Sequence, residues 1–229
     1  MFVLTMDQRA SRRGPDLVPG LLEMLRDIPA KLAFERSVGD EVQGVLTDPG
    51  SIIEVVMRAL RTGQWYIGIG VGPVDLPLPP SPREASGPAF VAARAAVERA
   101  KKTGERVPLS VQWSGGGAAS HKSGSSEPGL DSADAVQAGF RRADPQQLAA
   151  SAEAVLVLTG RLVRGRTEAE WRILDLLQPG VRGGQAAVAE RLGISPQAVS
   201  KAVLRSGWQE EHAGRAAAAV LLNLVSDTL

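Results

Sequence analysis

Three acidic residues in the first part of the chain have the type and spacing to bind a divalent cation. Asp7 follows the short apolar run "FVLTM", which is typical of a buried strand. Asp40 and Glu41 separate the segments "KLAFERSV" and "EVQGVLT", which predict a hairpin with Gly39-Asp40 as its tight turn. Carboxylates on neighbouring strands supply the oxygen ligands that Mg²⁺ takes together with phosphates. Asp7 with one of the hairpin acids is therefore a candidate metal site.

Three arginines follow the first predicted strand in the segment "DQRASRR". Arg9, Arg12 and Arg13 can each donate paired hydrogen bonds to a phosphate, and a loop beside a helix N-terminus is a common phosphate site. The same residues also fit a solvated basic loop, or a loop that touches DNA. In a purely structural alternative, Asp7 pairs with Arg9 or Arg12, and the two hairpin acids only cap their turn.

A second candidate site lies in the segment "GQAAVAERLGISPQAVSKAVLRSGW". It predicts a helix, a tight turn at Gly193, and a further helix that begins at Ser195 and Pro196. This is the layout of a helix-turn-helix motif, whose second helix enters the major groove of DNA. The outward-facing residues predicted to contact DNA are Ser195, Gln197, Ala198, Ser200, Lys201 and Arg205.

The inward face of this second helix is predicted to consist of Val199, Val203 and Leu204. Residues 191–209 contain three basic residues and no acidic residue, which suits a surface that meets phosphates. The alternative is a helical hairpin that only packs or dimerises.

Local signals predict where other helices begin and end. Asp48 is a candidate N-cap followed by Pro49 at the first helical position, and Gly63 is a candidate C-terminal glycine. Thr167 precedes a later helix, with Glu170 at the position that completes a capping box.

The elements that must position these residues fall into two groups. Residues 1–112 predict the order β-α-β-β-α-β-α-β, which is a ferredoxin-like split β-α-β arrangement with an extra strand and helix. The chain then becomes rich in Gly, Ser, Ala and Pro. We predict an α/β domain at 1–113, a Gly/Ser-rich linker at 114–144, and an all-α helix-turn-helix domain at 145–229.

Composition excludes several classes of function. The chain has 26 Lys and Arg residues against 25 Asp and Glu residues, so its net charge favours no class of partner. Because it contains no cysteine, it has no disulfide, no thiol nucleophile and no zinc–cysteine site. No apolar run approaches the roughly 18 residues of a membrane span, and the first residues do not follow the order of a signal peptide. We expect a cytoplasmic protein with no membrane partner.

The C-terminal pattern resembles the winged-helix DNA-binding domains of MarR-type bacterial regulators. In that family "LA..LG.S...VS" spans the turn and the recognition helix, and "AAVAERLGISPQAVSKAV" has small residues, glycine and valine in the same register. The resemblance implies a partner of double-stranded DNA and a homodimer. The sequence departs from the family after "SGW", where "QEEHAGRAAAAVLLNLV" predicts a helix in place of a β-hairpin wing. We expect this terminal helix to dimerise.

The N-terminal motifs resemble the palm of the nucleotidyl cyclase and diguanylate cyclase superfamily. "SVGDEVQGVL" is similar to the hairpin "GGDEF..LL", "WYIGIGVGPV" to the strand "VTVSIGVA", and "ARAAVERAKKTGERV" to "AD.ALY.AK..GRNRV". With "TMDQRASRR" in front and a DNA-binding tail behind, the chain is identified as a member of the SatD family of bacterial proteins.

This resemblance implies roles for particular residues. Asp7 and Asp40 match the two metal ligands of the cyclases, and Gly39 matches the turn that lets phosphate approach. Arg94 matches the arginine that steadies the phosphate in the transition state. Phe90, however, stands where the cyclases have asparagine.

Two further departures weaken the expectation of catalysis. Val38 and Val42 replace the first glycine and the phenylalanine of "GGDEF", and the Lys/Asp pair that selects the base has no match. Because such groups orient the substrate, we predict no catalytic residues but a pocket that still binds a nucleotide, with Mg²⁺ as its cofactor. The residues predicted to bind a nucleotide are Arg9, Arg12, Arg13, Gly39 and Arg94.

The two resemblances together predict a transcriptional regulator with a degenerate cyclase-like sensor domain. Two alternatives remain open from the sequence. One is a Mg²⁺-dependent nucleotidyl cyclase, and the other is a non-catalytic scaffold that binds a nucleotide.

Overall fold

The computed structural model describes residues 1–104, 107–115, 144–179 and 183–229. It confirms a mixed α/β fold built on one five-stranded sheet. Residues 116–143, which are nearly all of the predicted linker at 114–144, lie outside the described residues. The first eight elements are β1 (Phe2–Gln8), α1 (Val18–Met24), β2 (Leu32–Arg36), β3 (Glu41–Leu46), α2 (Pro49–Thr62), β4 (Trp65–Val71), α3 (Pro88–Lys101) and β5 (Leu109–Trp113).

The strands lie side by side in the order β2-β3-β1-β4-β5. All neighbours are antiparallel except β4 and β5, which are parallel and joined through α3. β1 is therefore the central strand, and its seven residues are all buried. In the β1–β3 register, Asp7 is paired with Glu41.

Helix α3 packs directly on the backbone of β4, because β4 has glycine at positions 68 and 70 on that face. A Cβ atom at Gly68 would collide with the backbone of Ala93 and Val97, and one at Gly70 with Ala89 and Ala93. Glycine inside a strand is typical of such a close approach.

The C-terminal helices α4 (Pro145–Gly165) and α8 (Trp208–Ser226) are part of the same hydrophobic core as the sheet. Leu156 of α4 and Leu222 of α8 are fully buried in one cluster with Ile67 and Leu109 of the strands. The predicted boundary at residue 145 thus separates two helices from the sheet that they help to cover. Close packing against distant strands is a tertiary feature that helical periodicity alone does not reveal.

Three shorter helices, α5 (Glu168–Leu174), α6 (Gly184–Leu192) and α7 (Pro196–Arg205), lie between α4 and α8 in the chain. We call them the three-helix unit. The unit has a small hydrophobic core of its own, which contains Ile173, Leu174, Val188, Ala189, Val199, Ala202 and Val203. Residues 145–229 therefore do not form one all-α unit. The three-helix unit is inserted between α4 and α8, which pack on the sheet.

The predicted helix caps are confirmed. The Asp48 side chain accepts a hydrogen bond from Ser51 N at 2.7 Å, and Gly63 ends α2 in the left-handed region with φ 70°. Thr167 and Glu170 form the predicted capping box at the start of α5. In the parts of the chain that the structure describes, no helix is both long and apolar enough to cross a membrane.

Candidate functional site

The turn between α6 and α7 has the geometry that its sequence predicts. Gly193 has φ 66°, a backbone conformation that favours glycine, and Ile194 N donates to Ala189 O at 3.0 Å. The Ser195 side chain accepts a hydrogen bond from Ala198 N at 3.2 Å, and Pro196 begins α7. The start and direction of α7 are therefore fixed by local contacts.

One face of α7 is buried in the three-helix unit and the opposite face is exposed. Val199, Ala202 and Val203 lie in the core of the unit, whereas Leu204 is 76% exposed. The prediction that Leu204 faces inward is wrong, because it comes five positions after Val199 and therefore lies about 140° around the helix. All six residues predicted to contact DNA are exposed, namely Ser195, Gln197, Ala198, Ser200, Lys201 and Arg205.

We call these six residues the α7 surface. Among the described residues, its only ion pair is a long contact of 3.8 Å between Arg205 Nε and Glu170 Oε1. The Arg205 side chain remains 72% exposed, so its charge is available to a partner. No described part of the chain covers the α7 surface.

Arg166 joins the two points where the chain enters and leaves the three-helix unit. Its side chain is 1% exposed, its Nε donates to Ser206 O at 3.0 Å, and its Nη1 lies 2.6 Å from Glu211 Oε2. Since Glu211 is also buried, the charged pair is isolated from water. Sequence reasoning missed this residue, because "GRLVRGRTE" contains three similar arginines and nothing local marks one as buried.

A second set of contacts joins the unit to α2. Arg61 donates to both carboxylate oxygens of Asp175 at 2.7 Å, and its guanidinium lies 4.0 Å from the centre of the Trp171 ring. The Arg166 guanidinium lies 4.8 Å from the same ring. Trp171 also packs against both hydrophobic clusters. The position of α5 relative to the sheet therefore depends on one aromatic ring and two cations.

Alternating charges extend this network along α8. Arg215 contacts Glu54 of α2 at 2.8 Å and Glu211 of α8 at 2.5 Å. Burial opposes the charged form of Glu54, but hydrogen bonds and charges from Arg58 and Arg215 outweigh it and lower the pKa of that carboxyl. Glu211 thus links Arg215 to Arg166. Through Arg215 and Glu54, the same network connects α2 to the residue at which the chain enters the three-helix unit.

On the α3 side of the sheet, Asp7 and Glu41 form a polar cluster with two cations. The Lys101 ammonium contacts the Asp7 carboxylate, and Arg94 Nη2 lies 3.6 Å from Glu41 Oε1. The side chains of Asp7 and Glu41 are only 11% and 15% exposed. Burial raises the pKa of Glu41; Arg94 offsets part of this rise and the charge of Asp7 adds to it.

The arrangement does not fit the predicted metal site at Asp7 and Asp40. Glu41 is the cross-strand partner of Asp7, while Asp40 lies in the turn before β3. Lys101 already neutralises Asp7, so a divalent cation there would meet a positive charge. Among residues 1–104, 107–115, 144–179 and 183–229, no three His, Asp or Glu residues lie close enough to hold a metal ion.

A groove of about 370 Å³ lies beside this cluster, between the hairpin and the first turns of α3. Two of the residues predicted to bind a nucleotide lie at this groove. Arg94 lines it, and Gly39, whose φ is 61°, comes directly after the lining residue Val38. Arg83 adds a second cation and Phe90 an aromatic wall, neither of which the sequence marked as binding residues. The lining residues are Ser37, Val38, Gln43, Arg83, Ala85, Phe90, Val91 and Arg94.

The loop with Arg9, Arg12 and Arg13 is separate from this groove. Arg12 and Arg13 are exposed and line a depression of their own with Ala10 and Ser11. The Arg9 guanidinium lies 5.2 Å from the centre of the Tyr66 ring. The alternative in which Asp7 pairs with Arg9 or Arg12 is not what the structure contains, since Asp7 pairs with Lys101.

Comparison with known proteins found no matching family model, no similar curated protein and no similar solved structure. Any functional conclusion therefore depends on the residues themselves.

Proposed function

We propose that the protein is a DNA-binding transcriptional regulator, in which α6 and α7 act as a helix-turn-helix and α7 enters the major groove. The observation that carries this proposal is the exposure of the whole α7 surface on a helix anchored from behind by Val199 and Val203. A recognition helix needs both properties, because it must reach the bases without losing its position on the domain.

The residue types on the α7 surface favour a division of contacts. Gln197 and Ser200 have polar side chains that can hydrogen-bond base edges. Lys201 and Arg205 are suited to the phosphates on either side of the groove. The chain would act in the cytoplasm as a homodimer, so that two copies of α7 occupy half-sites about one helical turn apart.

The sheet would serve as a sensor domain of degenerate cyclase type, as in the SatD family. The strand order and directions support this, because β2-β3-β1-β4 is the order of a split β-α-β fold. Arg83 and Arg94 would hold the phosphates of a nucleotide, with Phe90 against its base. Since Lys101 forms an ion pair with Asp7, nucleotide binding would not require Mg²⁺, and we propose no cyclase activity.

Mobility-shift assays with genomic fragments test the DNA-binding proposal. We expect salt-sensitive binding by the full chain, and a loss of about 100-fold or more for Lys201→Glu with Arg205→Glu, since both changes repel phosphate. The control carries Arg26→Glu and Lys31→Glu, two exposed cations outside the three-helix unit, with the same change of net charge.

Equal binding by the two double variants would contradict the proposal, as would a wild-type chain that binds no fragment. A separate thermal-shift measurement with nucleotides tests the sensor. A nucleotide should raise the melting temperature of the wild type without added Mg²⁺, and Arg94→Ala should abolish the rise.

A further inference from the structure

The loop that joins β1 to α1 holds three arginines in a defined conformation. We call residues 9–14 the arginine loop. Ala10 has φ 55°, and Arg13 N donates to Ala10 O at 3.0 Å, which forms a turn. The Gln8 side chain closes the base of the loop, because it donates to Pro15 O at 2.8 Å and accepts from Leu17 N at 2.9 Å. Local contacts therefore hold the backbone that carries the three arginines.

No acidic residue in the described parts of the chain forms an ion pair with the three arginines of this loop. The two acids that flank the loop in the chain have other partners, since Asp7 is paired with Lys101 and Asp16 with Arg36. Arg12 and Arg13 are exposed, so their charges face solvent. A group of exposed cations without counter-charges among the described residues is suited to an anionic partner.

The arginine loop lies at the end of the sheet to which the three-helix unit is attached. Arg9 N donates to Gln64 O at 2.8 Å, and Gln64 comes two positions after the end of α2, whose Arg61 binds Asp175. Arg9 also lies near Arg164, at the end of α4. Burial lowers the pKa of the Arg164 guanidinium, and the positive charge of Arg9 lowers it further. α5 begins four residues beyond Arg164.

We propose that the arginine loop contacts the phosphate backbone of the same duplex that α7 reads, on the flank of the recognition site. This inference depends on the proposed DNA binding and extends it to a surface outside the helix-turn-helix. Arg12 and Arg13 supply the contacts, since they are exposed and form no ion pair with any residue that the structure describes. Arg9, whose guanidinium lies 5.2 Å from the centre of the Tyr66 ring, adds to the positive potential of the loop.

The structure favours DNA over a nucleotide as the occupant of this loop. A nucleotide in the groove would meet Arg83 and Arg94, and none of the loop arginines lines that groove. Arg9 instead lies towards Tyr66 and Arg164, and so towards the helix that leads into the three-helix unit. A duplex is long enough to meet both surfaces at once, whereas a small ligand is not.

The salt dependence of binding separates the two surfaces. The probe is a fluorescent random-sequence duplex of about four helical turns, and its affinity for the full chain is measured by anisotropy over a series of salt concentrations. Arg12→Ala with Arg13→Ala should reduce the slope of log affinity against log salt by about 2, since each lost phosphate contact removes about 0.9. At about 0.1 M salt the affinity should fall by about 10- to 100-fold.

Arg26→Ala with Lys31→Ala is the matched control, because it removes the same charge from exposed positions outside the loop and the three-helix unit. Its slope should equal that of the wild type. The proposal is overturned if the two double variants have the same slope, or if the loop variant loses only a nucleotide-induced rise in melting temperature. A wild-type chain that binds no duplex overturns the proposed function itself, whereas an unchanged slope overturns only the role of the loop.

Discussion

The sheet and the three-helix unit are held in place by different kinds of contact. The sheet shares one large hydrophobic core with α2, α4 and α8, and α3 packs directly on the β4 backbone. The three-helix unit has a small core and is fixed to the rest mainly through Arg61, Arg166 and Trp171. Apolar packing makes the first region stable, while a few charged contacts set the position of the second. The region proposed to read DNA is thus the one whose placement is easiest to change.

The largest effect is expected from Arg166→Met. This change leaves Glu211 buried with only Arg215 as partner and removes the link to Ser206 O, so the free energy of unfolding should fall by about 3 kcal/mol. Urea unfolding measures it. Arg172→Met, at an exposed position on α5, is the control and should change stability by less than about 0.5 kcal/mol.

Adding Glu211→Leu to Arg166→Met sharpens the test. Because the double variant no longer buries an incompletely paired charge, it should recover part of the lost stability. A double variant that is less stable than the single one would show that the buried charges are not the basis of the effect.

Packing of the sheet is tested by Gly70→Ala. The new methyl group would collide with α3, and we expect a loss of about 1 to 3 kcal/mol. Gly20→Ala is the same change on α1 with open space around it, and it should stabilise the chain by up to about 1 kcal/mol. Equal effects at the two glycines would contradict the close approach of α3 to β4.

Arg61→Ala should affect position more than stability. The pair with Asp175 is partly exposed, so its loss should cost no more than about 1 kcal/mol. Amide hydrogen exchange should nevertheless become faster in α5 while the strands keep their protection. Arg26→Ala, which removes an exposed pair with Glu23, should leave both regions unchanged. Faster exchange throughout the sheet would contradict a purely local role for Arg61.

The smallest effects concern pH, and they should have opposite signs in the two regions. Burial raises the pKa of Glu41 above 4.5, so ionisation of this carboxyl destabilises the fold. The destabilisation is absent at low pH and grows as the pH rises through the raised pKa. Hydrogen bonds from the Thr167 backbone and, after the opposing effect of burial, from its side chain lower the pKa of Glu170. The stability that ionised Glu170 contributes is therefore present above pH 4.5 and is lost as the pH falls through the lowered pKa.

Glu41→Gln should thus become more stable relative to the wild type as pH rises from 3 to 7. Glu170→Gln should become less stable relative to the wild type over the same range. Urea unfolding at several pH values gives both differences. Parallel trends in the two variants would contradict the assigned surroundings of the two carboxyls.

Features set by neighbouring residues could be predicted from the sequence. The cap at Asp48, the capping box at Thr167 and the turn at Gly193 each depend on a few consecutive positions, and all three are confirmed. The five strands and their order along the chain also follow from local apolar patterns and turns.

Features set by distant residues could not be predicted. The sequence does not reveal that Lys101 neutralises Asp7, because ninety-four positions separate the two residues and only the packing of α3 on the sheet joins them. The pairing of Asp7 with Glu41 instead of Asp40 depends on the strand register, where one residue decides which side chain faces α3. The burial of Leu156 and Leu222 under the sheet likewise depends on tertiary contacts.

The central claim is that the α7 surface reads DNA sequence, and selection from a pool of random duplexes tests it most directly. The full chain should enrich a motif with two half-sites about one helical turn apart. Gln197→Ala should relax base preference within each half-site while leaving the overall affinity within about tenfold of the wild type. A pool that remains random after repeated rounds with the wild-type chain would contradict the claim.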